Sequence, residues 1–318
     1  MLDILAITGP IFIVIAIGFA AVRSGLFAKA DTRALGAFVI NIALPAVLFK
    51  ALSQRSFGEV LNLTYLAAYA AGSLAVFAAG VAAMRGLRRQ PVPKAALVGM
   101  GMAMSNSAFI GFPVVLQLFG QVAAVALALA MIVENLILLP LVIAFAESAG
   151  GSGARLGRVV TQTFRRLLKN PIVLAILAGF GAAILGLHPP AAVAKAIDML
   201  AMASASVALF VIGGTLVGQK VGGMLGELGV IALGKLVLHP LAVLAMFWLL
   251  PPVDPVLQMA AVLFASAPML TIYPIFGQKY GEEGMCAAAL VVTTIASFVT
   301  LSVVVGVLTA SGAAVGAG

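Results

Sequence analysis

The sequence is poor in charged residues: Asp, Glu, Lys and Arg make up 9% of its 318 residues, whereas 63% are hydrophobic. Soluble globular chains carry about 25% charged residues, so this composition excludes an ordinary soluble domain. Apolar stretches of about 20 residues, the length that a membrane-spanning helix needs, cover nearly the whole chain. The sequence therefore predicts an all-α integral membrane protein with almost no soluble part.

Cysteine and histidine are also scarce, with one cysteine, Cys286, and two histidines, His188 and His239. A single cysteine forms no disulfide within the chain, and the histidines are too far apart in sequence for a metal-binding motif. The sequence has no phosphate-binding glycine loop, no His-Glu metal motif and no Gly-x-Ser-x-Gly elbow. We therefore expect no cofactor, no metal and no enzymatic activity.

The net charge of +8 comes mainly from basic residues in short loops between apolar segments, which favours membrane topology over nucleic-acid binding. With the N-terminus outside, the inside loops hold fourteen of the eighteen Lys and Arg residues, the outside loops hold Lys50, Arg55 and Lys195, and Lys235 falls within a span. Positive residues concentrate in cytoplasmic loops, so we expect both termini on the periplasmic side of an inner membrane. The ten predicted spans lie at roughly 3–22, 34–52, 62–84, 95–118, 122–146, 171–187, 196–218, 226–250, 256–277 and 284–309.

The chain repeats itself at an offset of 161 residues, without gaps. We predict a first repeat at 1–147, a basic linker at 148–170 in which Leu156–Leu168 has the pattern of an amphipathic surface helix, and a second repeat at 171–318. Each half has five spans, so the second half enters the membrane from the opposite side. Inverted repeats are typical of many secondary transporters. The shift places Pro10, Gly18, Gly25, Phe49, Ser105, Pro113, Gln117 and Gly120 on Pro171, Gly179, Gly186, Phe210, Ser266, Pro274, Gln278 and Gly281.

The fourth span of each half carries the same disturbance, at Ser105–Pro113 and at Ser266–Pro274. Proline removes a backbone donor and clashes with the preceding turn, so both helices are predicted to break at membrane depth; if the two broken spans cross, their free backbone groups would share one small volume. After each break a new half-helix begins, and its N-terminus offers free N–H groups and partial positive charge to an anion. The alternative is two ordinary proline kinks with no binding role.

Three polar residues within spans are candidates for function. Glu134, in the fifth span, is either a proton carrier or a carboxylate that braces the bundle through hydrogen bonds. Lys235, in the eighth span, could neutralise a cluster of carbonyls, pair with Glu134 or point toward an interface. Asn41, in the second span, either hydrogen-bonds to substrate or holds helices together.

The chain resembles the auxin efflux carrier family, including bacterial members described as malonate or malate permeases. The resemblance covers essentially the full length and is most specific at Phe38–Phe49 (FVINIALPAVLF), Asn106–Pro113 (NSAFIGFP) and Ala267–Tyr280 (APMLTIYPIFGQKY). It implies a ten-helix, inverted-repeat transporter with a scaffold domain and a transport domain, in which the broken fourth and ninth spans cross beside the substrate. The long cytoplasmic loop of many plant members is absent, which argues against auxin as the substrate.

We therefore expect a secondary transporter for a small organic anion such as a carboxylate, working by alternating access in the lipid bilayer. The open alternatives are a sodium- or proton-coupled symporter of the bile-acid carrier type and a membrane sensor that does not transport; a homodimer is also left open. Glu134 and Lys235 are expected to compensate charge or couple transport to protons. The predicted substrate-binding residues are Asn41, Ser105, Asn106, Ser107, Gly111, Pro113, Thr271, Tyr273 and Pro274.

Overall fold

A computed structural model describes residues 2–54, 61–148, 169–187, 189–218 and 225–310. The surface helix predicted at Leu156–Leu168 lies outside these residues. Throughout the described part the chain forms helices and no strands, which confirms the all-α prediction. Seven helices are long and apolar enough to cross a membrane, and three shorter apolar helices accompany them. The chain is therefore a multi-pass membrane protein. Each of the ten predicted spans overlaps one of these helices, the ninth, 256–277, only as far as Ser266.

The helices are numbered here in chain order, with the two interrupted spans each counted as two helices. Six of the numbered helices precede the longest connection, and six follow it. Their bounds are α1 Leu2–Arg23, α2 Lys29–Ser53, α3 Leu63–Leu87, α4 Val92–Ala103, α5 Ser107–Gly111 continued by Phe112–Phe119, α6 Val122–Ser148, α7 Pro171–Ile184, α8 Ala191–Leu216, α9 Gly226–Leu249, α10 Pro255–Ser266, α11 Tyr273–Lys279 and α12 Glu283–Ala310.

Helix α1 packs along α8 with their backbones in direct contact. A methyl group on Gly18 would lie 2.1 Å from the carbonyl oxygen of Phe210, and one on Gly213 would lie 1.9 Å from the carbonyl oxygen of Ile15. Helix α7 packs along α2 in a similar way, since a methyl group on Gly179 would lie 3.3 Å from the carbonyl oxygen of Phe49. Glycine allows this approach because it has no Cβ, as is usual where membrane helices pack closely.

Two pairs of loops repeat the same backbone geometry. Gly25 and Gly186 have φ values of +81° and +62°, and Gly120 and Gly281 have φ values of +55° and +75°. These left-handed conformations suit glycine and are strained for other residues. Each pair is related by the offset found in the sequence, so the chain turns in the same manner after corresponding helices.

Five wide π-helical turns occur in the described helices; four of them end two residues before a proline, and the fifth, Ala83–Leu87, does not. A proline ring clashes with the carbonyl of the residue four positions earlier and has no N–H to donate. A wider turn relieves that clash, and such turns are frequent at functional sites. Three of the turns contain Asn41, Glu134 or Lys235, and a fourth begins at Ser107. These four turns are Val39–Ala43, Ser107–Gly111, Val133–Leu138 and Gly234–Leu238, and the prolines are Pro45, Pro113, Pro140 and Pro240.

Candidate functional site

Two interruptions of the helical backbone meet inside the bundle. Helix α4 ends at Ala103 and α5 begins at Ser107, while α10 ends at Ser266 and α11 begins at Tyr273. The backbone N–H of Asn106 donates to the carbonyl of Pro268 across a distance of 2.7 Å. The two interruptions are therefore hydrogen-bonded to each other. The N–H of Asn106 and the carbonyl of Pro268 both lie outside the helices, and each is the partner of the other.

Asn106 connects the two interruptions through its side chain as well. Its Nδ2 donates to Thr271 Oγ1 at 2.8 Å, and its Oδ1 accepts the N–H of Phe109 at 3.3 Å. Asn106 thus caps the N-terminus of α5, where the helix dipole favours negative charge. Asn106 is buried, whereas Ala108 and Thr271 are partly exposed. The crossing is therefore least covered by protein on the side of Ala108 and Thr271.

Lys235 lies fully buried next to this crossing and donates three hydrogen bonds. Its Nζ is 2.7 Å from Ser105 Oγ, 2.8 Å from His239 Nδ1 and 2.8 Å from the carbonyl oxygen of Ala265. An ammonium group has three protons, so each one has an acceptor. The carbonyl of Ala265 belongs to the last turn of α10, where the break removes its helical partner. Lys235 therefore caps the C-terminus of α10 with a positive charge.

Glu134 is buried on the other side of Ser105 and is unevenly hydrogen-bonded. Its Oε1 accepts from Tyr69 Oη at 2.9 Å and from Ser107 Oγ at 2.6 Å. Its Oε2 has no hydrogen-bond partner within the described structure. Ser107 is the first residue of α5, so the carboxyl group contacts the very start of the half-helix that Asn106 caps.

Glu134 and Lys235 are connected through hydroxyl groups and form no direct ion pair among the described residues. Tyr69 Oη, bonded to Glu134, lies 3.5 Å from Ser105 Oγ, which accepts from Lys235. On the far side of Lys235, His239 Nε2 lies 2.8 Å from Ser73 Oγ. A continuous polar network therefore runs from Ser73 to Ser107 through an otherwise apolar bundle. Its seven members are Tyr69, Ser73, Ser105, Ser107, Glu134, Lys235 and His239, here called the polar network.

The structure brings most of the predicted site residues together. Ser105, Asn106, Ser107 and Thr271 meet at the crossing, and Glu134 and Lys235 flank it. Asn41 stands apart from them: it is exposed on α2, and its Nδ2 donates to the carbonyl of Ala37 in its own helix at 2.7 Å.

The remaining predicted residues shape the helices at the crossing. A methyl group on Gly111 would lie 2.6 Å from the ring of Phe264, so glycine lets α5 approach α10. Pro113 and Pro274 lie in the first turns of α-helical segments, where proline is tolerated. Tyr273 is buried, and its hydroxyl donates to the carbonyl of Leu97 at 2.8 Å.

Three members of the polar network were not among the predicted site residues: Tyr69, Ser73 and His239. Tyr69 and Ser73 are four residues apart on α3, as Lys235 and His239 are on α9, so each pair lies on one helix face. Polar residues spaced four apart within apolar spans are the signal that could have identified them. The described residues contain no group of three or more His, Cys, Asp or Glu side chains that could hold a metal ion.

Comparison with known proteins places this geometry in context. A family profile described as "Membrane transport protein" matches residues 6–305. A Rhizobium meliloti protein named "Putative malonate transporter" is 32% identical over 303 residues, which are 95% of this chain and 95% of that protein. The "Uncharacterized transporter YfdV" of Escherichia coli is 25% identical over 74% of this chain and 75% of its own length. The "Lysosomal cholesterol signaling protein" of Mus musculus is 28% identical over 65% of this chain, which is 25% of that protein.

Proposed function

The chain belongs to the membrane transport protein family, in agreement with its resemblance to the auxin efflux carriers, and on this premise we propose that it carries a small organic anion, a carboxylate, across the inner membrane. The Rhizobium meliloti relative is named for malonate, a small dicarboxylate, and supports this substrate class. No energy-coupling ATPase motif occurs in the sequence. Transport is therefore driven by an ion gradient or by the gradient of the anion itself.

We propose that the ten helical spans form two inverted repeats, 1–147 and 171–318, that exchange conformations during alternating access, with both termini periplasmic. The contact of Gly18 with Phe210 and the contact of Gly179 with Phe49 support this arrangement. The repeat offset of 161 residues relates Gly18 to Gly179 and Phe49 to Phe210, so the two contacts are equivalent under the repeat. Such a pair of related halves lets a fixed site open first to one side and then to the other.

The proposed substrate site is the crossing, and the observation that carries it is the position of Asn106. This one residue caps α5 and hydrogen-bonds to both the backbone and the side chain of the second interruption. A carboxylate arriving beside Ala108 and Thr271 would meet the start of α5, where N–H groups and the helix dipole attract anions. The amide of Asn106 and the hydroxyl of Thr271 would orient it.

Lys235 supplies the positive charge of the proposed site. It lies next to Ser105, one residue before Asn106, so an anion at the crossing would be partly neutralised. The other proposed residues, Gly111, Pro113, Tyr273 and Pro274, hold the half-helices in position. Asn41, exposed on α2 and apart from the crossing, is proposed to contact the anion on its way to or from the site.

Uptake into liposomes tests this function. The purified protein is reconstituted, and the uptake of labelled malonate, monocarboxylates and indole acids is measured. Asn106→Ala should lower flux by about tenfold, because about 1.4 kcal/mol of lost hydrogen bonding corresponds to that factor. Asn135→Ala is the matched control and should leave flux unchanged, since within the described part of the chain the Asn135 side chain bonds only to Met131 of its own helix.

The outcomes separate the alternatives. Flux of no carboxylate at all would end the transporter proposal, and anion binding without flux would favour a membrane sensor. Flux that depends on a sodium gradient would favour a symporter of the bile-acid carrier type. Equal flux by Asn106→Ala and the native protein would remove Asn106 from the site.

A further inference from the structure

We propose that Glu134 is a proton-binding site of this transporter and that one proton crosses the membrane together with each substrate anion. This inference rests on the proposed function, because it names the coupling ion of the same site. It depends on three features of the described structure: the uneven hydrogen bonding of Glu134, its contact with the start of α5, and the saturated hydrogen bonding of the basic groups nearby.

The first feature is the free oxygen of Glu134. Among the residues that the structure describes, both hydrogen bonds of its carboxyl group go to Oε1, and Oε2 is buried without a partner. An ionised carboxylate has about four acceptor positions, and a buried charge that lacks partners is costly. A proton removes the charge and needs no additional space. Glu134 is therefore arranged to alternate between an ionised and a neutral form.

The second feature links this proton to the anion. Ser107 donates to Glu134 at 2.6 Å, and Ser107 is also the first residue of the half-helix whose N-terminus is the proposed anion site. An ionised Glu134 and a carboxylate bound at the start of α5 would repel each other. Two unit negative charges about 7 Å apart, at an effective dielectric constant of about 20, would weaken anion binding by about 50-fold. Protonation of Glu134 removes the repulsion. By reciprocity, a bound anion strengthens proton binding by the same factor, so proton and anion bind together.

The third feature excludes the other titratable groups as the coupling site. Lys235 has an acceptor for each of its three protons, and both ring nitrogens of His239 are engaged, by Lys235 and by Ser73. From α3, Tyr65 bonds to the carbonyl of Ala126 and Tyr69 to Glu134. Glu134 is the group with an open position.

The cycle balances with one proton. The proton leaves bulk water on the side to which the site is open, binds Glu134 and neutralises it as the anion binds at the crossing. After the site opens to the other side, the anion leaves and the proton returns to water there. The ammonium of Lys235 keeps its charge throughout, and no other group gains or loses a proton.

The test uses the full chain in liposomes with labelled malonate as the probe. In the native protein, an inward proton gradient should drive accumulation, and a pH dye should record about one proton entering per malonate. Between pH 6 and pH 8 malonate affinity should fall by about tenfold or more. Glu134→Gln should abolish gradient-driven accumulation, retain malonate exchange without a gradient, and show less than about threefold change in affinity over that range. Glu147→Gln, whose carboxylate bonds to Lys279 at a helix end, is the matched control and should behave as the native protein.

Each outcome either supports or overturns proton coupling through Glu134. Malonate flux by the native protein without proton entry, or flux driven by sodium instead, would overturn the inference and leave the transporter proposal intact. Accumulation by Glu134→Gln equal to the native level would overturn it as well. If Glu134→Gln fails to fold, the proton count of the native protein still decides. The absence of any carboxylate flux in the native protein would end both proposals together.

Discussion

Replacement of Lys235 by Met should destabilise the protein more than almost any other single substitution of a polar residue. The change removes three hydrogen bonds from a fully buried ammonium group and leaves Ser105, His239 and the carbonyl of Ala265 without their donor. It also leaves Glu134 without the only cation in the polar network. Removal of one member of a buried charged pair costs about 3–5 kcal/mol.

Thermal unfolding in detergent measures this effect. The chain has one cysteine, Cys286, which is buried, so a thiol-reactive dye reports the unfolding of α12 from a single position. At about 2 °C per kcal/mol for a chain of this length, the unfolding temperature of Lys235→Met should fall by about 6–10 °C. Lys195→Met is the control, because Lys195 is exposed on α8 and its loss should cost less than about 0.5 kcal/mol.

A second substitution distinguishes a charge effect from a packing effect. Glu134→Gln in the Lys235→Met background removes the uncompensated carboxylate, so the double variant should recover part of the lost stability. A fall of less than about 2 °C for Lys235→Met would refute the argument that the ammonium holds the crossing together. A double variant that is less stable than Lys235→Met would refute the electrostatic link between the two residues.

Three further predictions concern the frame around the site, each checked by the same unfolding assay. Gly213→Ala, which places a methyl group against a backbone carbonyl at 1.9 Å, should cost about 3 kcal/mol, whereas Gly181→Ala, with no atom within 4 Å, should cost nothing; equal effects would contradict the close contact. Tyr273→Phe should lower stability by about 1 kcal/mol through its lost hydrogen bond, and no change would show that this bond is not formed. The hydrogen bond from Lys279 to Glu147 raises the pKa of Lys279. The small contribution of this bond to folding stability should therefore be complete below about pH 10.4, the ordinary lysine pKa, and disappear as the pH rises through the higher pKa of the folded state. A stability difference between the native protein and Lys279→Gln that grows at alkaline pH would contradict this.

The sequence predicted the helices well because their signal is local. Apolar length marks each span, and Pro, Gly and Ser mark each interruption, so the ends of α4 and α10 at Ala103 and Ser266 fall next to the predicted breaks. The wide turns before Pro45, Pro113, Pro140 and Pro240 were not predicted. They are consistent with the same steric rule for proline, but the rule alone does not locate them, because Pro10 lies within the continuous helix α1.

The polar network could not be predicted from the sequence alone, because its bonds join residues that are distant along the chain. Glu134 and Lys235 were both recognised as costly in a membrane, but three interpretations of Lys235 were left open. In the structure, Lys235 donates to the carbonyl of Ala265 and forms no direct ion pair with Glu134 among the described residues. Tyr69 looked like an ordinary aromatic residue, and only its position against Glu134 reveals its role.

The contact of α1 with α8 has a mechanical consequence. Where Gly18 and Gly213 bring two backbones together, no flexible side chains lie between them to absorb sliding, because rotamer changes are what normally allow packed helices to shear. We therefore expect these two helices to translate or tilt together as one rigid unit, and large movements in the molecule to occur outside this contact.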